Sequence, residues 1–89
     1  MTEFLVEVYL ARGNGVEATA LDARRAAQEL TDEGTPVRYL SSIFVPEDET
    51  CFFLYEAATA EAVREAARRA SLVFERISEA VAEPKGVER

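Results

Sequence analysis

The sequence predicts an α+β sandwich in the order βαββαβ, a four-stranded antiparallel sheet with both helices on one face. Three observations carry this. Residues Pro36–Glu56 (PVRYLSSIFVPEDETCFFLYE) hold two apolar runs, Val37–Val45 and Thr50–Tyr55, around the polar break Pro46-Glu47-Asp48-Glu49. Runs rich in β-branched and aromatic residues around a short polar break read as an antiparallel hairpin. A strand-like stretch stands at each end of the chain, and two alanine-striped helical segments separate these stretches from the hairpin.

Phe4–Leu10 (FLVEVYL) is the first strand, with Phe4, Val6, Val8 and Leu10 on one face and Leu5, Glu7 and Tyr9 on the other. Gly13-Asn14-Gly15 then supplies a flexible connection, and Thr19 is the predicted cap of the first helix, with Asp22 three residues on. Ala20, Ala23, Ala27 and Leu30 recur at helical spacing, and Gly34 and Pro36 end the helix. In the hairpin, strict alternation places Tyr39, Ile43 and Val45 on one side of its first strand, with Leu40 and Phe44 on the other. The second hairpin strand divides into Phe52 and Leu54 against Phe53 and Tyr55. Thr59 caps a second helix running to about Ala70, striped by Val63, Ala66, Ala67 and Ala70. Its Glu61, Arg64, Glu65, Arg68 and Arg69 sit at ion-pair spacing. Phe74–Ala82 is a weaker final strand. The expected domain covers residues 1–83, followed by a flexible charged tail over 84–89. This order is that of the ferredoxin-like sandwich.

With 89 residues there is room for one core only. The net charge of −7, from 17 acidic and 10 basic residues, argues against a nucleic-acid partner, whose phosphates need a basic face. A single cysteine excludes an internal disulfide and suits a reducing compartment. With no signal-like leader and no membrane-length apolar run, the expected location is cytoplasmic. Helices cover one sheet face, yet both faces of the hairpin are apolar. The uncovered face would exceed the few hundred Å² that monomers usually expose, so a homodimer is expected.

The segments SSIFVPEDETCFFLYEA, EAVREAARRA and FERISEAV, together with TEFLVEVYLAR, resemble a family of small ferredoxin-like proteins of unknown function that includes a nickel-binding protein. The resemblance implies a homodimer with a site for nickel or another divalent metal. Many members carry a histidine in the motif after the cysteine or in the second helix. Phe53 and Ala66 stand at those positions here, and the chain has no histidine. Nickel favours imidazole and similar borderline ligands, so carboxylates, hydroxyls, carbonyls and the one thiol must serve instead.

The candidate metal ligands are Glu47, Asp48 and Glu49 at the hairpin tip, Cys51 beside them, and Tyr39. Each also has a plain structural role: acidic turns solubilise, and a free cysteine in a strand often serves as a small buried hydrophobe. Ser41 and Ser42 point to opposite faces, so only one can line a cavity. A Ser/His or Cys/His nucleophile is excluded by the absence of histidine, and Lys85, the only lysine, lies in the tail. Glu7 and Glu56 are strand carboxylates without a visible acid–base partner. Nothing here marks an enzyme, and no catalytic residue or organic cofactor is expected. Two functions compete: a nickel-type metal-binding homodimer, and a dimeric α/β-barrel-like accessory protein enclosing an apolar cavity for a small ligand.

Overall fold

The computed structural model describes residues 1–81. The domain boundary expected at residue 83, the tail over 84–89 and the last residue expected of the final strand lie outside them. Strand β1 (Thr2–Tyr9) leads through a 3-10 turn to helix α1 (Val16–Asp32), then to β2 (Val37–Val45), β3 (Thr50–Ala57), helix α2 (Ala60–Arg69) and β4 (Phe74–Ala80). All pairings are antiparallel and the strand order is β2-β3-β1-β4, so β2 and β4 are the edges. Both helices lie on one face, as the sequence predicts.

Alternation along β3 decides which residues meet the helices. Cys51, Phe53, Tyr55 and Ala57 are buried, while Thr50, Phe52, Leu54 and Glu56 are only partly covered. The register extends this into rows across the sheet. Phe44, Cys51, Val8 and Phe74 form one inward row, Ser42, Phe53, Val6 and Ile77 the next, and Tyr39, Tyr55 and Phe4 a third. Ala23, Ala26, Ala27 and Leu30 of α1 and Val63, Ala66 and Ala67 of α2 close over these rows. Alanine at the contacts lets the helix backbones sit close to the large sheet side chains. The opposite face carries Ser41, Leu54, Leu5 and Ser78 in one row and Ile43, Phe52, Glu7 and Arg76 in the next.

Three local readings are corrected. Helix α1 starts at Val16, three residues before Thr19. Its cap is Gly15 at φ 79°, a left-handed conformation open to glycine without a side-chain cap. A bulge in β2 between Tyr39 and Ser41 leaves Leu40 as the extra residue. Tyr39 therefore shares the inward face with Phe44, and not the face of Ile43 and Val45 that strict alternation gave it. The third concerns Glu7 and Glu56, which do have partners: Arg76 bonds Glu7 and Arg38 bonds Glu56, each at 2.8 Å.

The helix ends follow a shared chemistry. Thr35 N–H donates to Leu30 O at 2.9 Å and Gly34 N–H to Thr31 O at 3.0 Å, the paired bonds of a Schellman motif, with Gly34 at φ 109°. Helix α2 ends the same way, Leu72 N–H to Ala67 O and Ser71 N–H to Arg68 O, both 2.9 Å, but Ser71 holds the left-handed position at φ 63°. At its other end the Thr59 hydroxyl accepts from Ala62 N–H, as expected of the cap.

Candidate functional site

The hairpin tip is built by turn hydrogen bonds, Asp48 N–H to Val45 O and Glu49 N–H to Pro46 O, both 3.2 Å. The turn puts Glu49 at φ 51° and aims it back at the end of β1. Its carboxylate accepts from the Tyr9 hydroxyl at 3.0 Å and from Arg12 N–H at 2.7 Å, and its carbonyl accepts from Leu10 N–H at 2.8 Å. The bond to Glu49 raises the Tyr9 phenol above its ordinary pKa, because the neutral phenol donates that bond. Glu49 thus latches the hairpin to the β1–α1 connection. That connection carries Gly13, where an added Cβ would come within 2.9 Å of the Phe44 ring. Glu47 and Asp48 make no side-chain hydrogen bond or ion pair among the described residues.

The candidate ligands do not converge. Cys51 is fully buried in the row between Phe44 and Val8, and burial pushes its thiol up, which favours the protonated form that binds metals poorly. Tyr39 sits opposite Tyr55, four residues along β3 from Cys51, roughly 13 Å at the rise of a strand. Its ring packs on Tyr55 at 5.8 Å and on Phe53 at 6.4 Å, with the Arg24 guanidinium 5.4 Å from its centroid. Among the described residues no three histidine, cysteine, aspartate or glutamate side chains stand close enough to hold a metal ion. Phe53 and Ala66, where the resemblance implies histidine, are both fully buried, so neither position faces an open site.

Sequence reasoning missed the Glu49 latch and the placement of Arg24 on Tyr39, because both join residues far apart in the chain. Burial of Cys51 did have a signal: its period-two spacing with Phe53 and Tyr55. A hollow of about 660 Å³ lies beside the start of α1 between Gly13, Gly15, Val16, Glu17, Ala18 and Phe44. No helix of the described residues is long and apolar enough to cross a membrane.

No curated protein sequence matches the chain. Among solved structures it is similar to the crystal structure of SCO4226 from Streptomyces coelicolor A3(2). The TM-score is 0.68 at 21% identity over 92% of this chain and 99% of that one, a likeness of fold. Nickel fits this chain poorly, since it has no histidine, its thiol is enclosed, and no three metal-binding side chains converge among the described residues. The family model described as "Nickel responsive protein SCO4226-like" matches residues 4–80, nearly the whole described fold, and the chain belongs to that family.

Proposed function

We propose that this chain is a nickel-type divalent-metal binding protein that acts as a homodimer, with hairpin-tip carboxylates as ligands and a second copy completing the coordination sphere. Membership of a family described as nickel responsive carries the reading. Glu47 and Asp48 support it as exposed carboxylates with no side-chain partner among the described residues, and Glu49 keeps lone pairs beyond the two bonds it accepts. A divalent ion on carboxylate and water ligands takes about six oxygens. One tip supplies too few, which is why the reading needs the second copy. Cys51 and Tyr39 are left out of the ligand set, the first by burial and the second by distance.

The uncovered sheet face supports the dimer. Leu5, Phe52 and Leu54 are half-buried and Ile43 is 59% exposed, an apolar centre flanked by the Arg38–Glu56 and Arg76–Glu7 pairs. A stable contact there would bury at least about 1,000 Å² in total. Light scattering at micromolar concentration should give about twice the 9.9 kDa chain mass, and nickel should stabilise that dimer. A monomer with and without nickel would overturn both parts. The same apolar face favours a second reading, an accessory dimer enclosing a small apolar ligand. A rise in melting temperature with an apolar probe, and none with metal, would select it. The free thiol of Cys51 fits either function in the reducing cytoplasm.

A further inference from the structure

We propose that the cleft between α1 and the edge strand β2, where Arg24 lies across the ring of Tyr39, binds a small organic carboxylate with an apolar body. Eight arginines fall within the described residues, and six of them, 25, 38, 64, 68, 69 and 76, are ion-paired. Arg24 has no carboxylate partner there, in a chain whose net charge is −7. Its guanidinium instead rests 5.4 Å from the Tyr39 centroid, where a cation is attracted to the aromatic face. A guanidinium presents its donors in a planar fork that matches a carboxylate.

Under Arg24 lies a cleft of about 220 Å³ bounded by Ala27, Gln28, Thr31, Val37 and Tyr39. The other polar side chains of its lining are engaged elsewhere in part: the Thr31 hydroxyl exchanges bonds with Val37 N–H and C=O, Gln28 donates one N–H to Asp32, and Arg38 is ion-paired with Glu56. The Tyr39 hydroxyl makes no hydrogen bond among the described residues. The one charge in this cleft without an ion pair among the described residues is the Arg24 guanidinium, which can only donate, so a ligand that pairs with it accepts. On the other side of Arg24 a hollow of about 310 Å³ is lined by Ala20 and Leu21, with Leu21 64% exposed. That wall suits an aromatic or aliphatic body. Glu17 at its rim disfavours a second negative charge, which points to a monoanionic carboxylate over a phosphate.

Backbone amide NMR with 1-naphthoate as the probe tests this, with 1-naphthalenemethanol and inorganic phosphate as comparisons. Naphthoate should shift the amides of Leu21, Ala27, Gln28, Thr31 and Val37 saturably, and the alcohol and phosphate should do so far more weakly. Arg24→Gln should weaken naphthoate at least about tenfold with the melting temperature unchanged, because a charge-assisted bond is lost. Arg12→Gln, which removes the other arginine without an ion pair among the described residues, should leave binding unaltered. The proposal is overturned if naphthoate causes no shift at about 10 mM, far weaker than a built site should show. It is equally overturned if the alcohol or phosphate binds as well as naphthoate, or if Arg24→Gln binds like the wild type.

Discussion

Replacing Tyr55 with phenylalanine should stabilise this protein. The Tyr55 hydroxyl is fully enclosed between sheet and helices and has no hydrogen-bond partner. An unpaired buried hydroxyl costs about 1–3 kcal/mol of lost hydration. Its removal forfeits only a few dispersion contacts of about 0.1–0.2 kcal/mol each, and the edge-on packing against Tyr39 at 5.8 Å survives. Tyr55→Phe should therefore gain about 1 kcal/mol, a rise of about 4–8 °C in melting temperature for a domain of this size. Tyr9→Phe is the matched control, since that hydroxyl does have a partner in Glu49. Its loss should lower the urea midpoint. Thermal and urea unfolding of the two variants should thus give opposite signs. If Tyr55→Phe destabilises as Tyr9→Phe does, the buried hydroxyl is bonded in solution and the reasoning fails.

Three further perturbations follow from the backbone and the charges. Ser71→Gly should add about 0.5–1 kcal/mol, because glycine takes the left-handed end of α2 without a Cβ penalty; an unchanged urea midpoint would count against this. Gly13→Ala should cost about 2 kcal/mol or more, from its φ of 69° and the 2.9 Å approach to Phe44. Wild-type stability in Gly13→Ala would mean that the loop can move off the ring. The third concerns Glu33, whose hydrogen bonds from Arg69 at 2.7 and 3.0 Å lower its pKa. With the folded pKa below the unfolded one, the pair's contribution is complete above about pH 5 and fades as pH falls through the lowered folded value. The small melting-temperature advantage of wild type over Glu33→Gln should shrink below about pH 4, and an advantage that grew in acid would refute the sign.

The hairpin, the second helix and its Thr59 cap were legible because each rests on local spacing and polar cap chemistry. The start of α1 was not, since Gly15 caps it through backbone conformation and leaves no polar side chain to read. Nor was the face of Tyr39, because the Leu40 bulge is set by pairing with β3 and nothing in the run VRYLSSIFV announces it. The site fared worse for the same reason. Closeness of Glu47, Asp48, Glu49 and Cys51 in sequence suggested a cluster. Strand alternation turns Cys51 into the core, and the tip turn sends Glu49 to Tyr9 and Arg12.

The measurement that bears most directly on the metal-binding homodimer is a calorimetric titration of nickel into the wild-type protein, with zinc and cobalt alongside. Saturable binding at about one ion per two chains is expected, the stoichiometry of a site completed by the second copy. A folded Cys51→Ser variant should bind as the wild type does, while Glu47→Gln with Asp48→Asn should abolish the heat. No saturable binding tighter than about 1 mM would rule out the metal-binding homodimer, and loss of binding in folded Cys51→Ser alone would rule out the hairpin-tip ligand set.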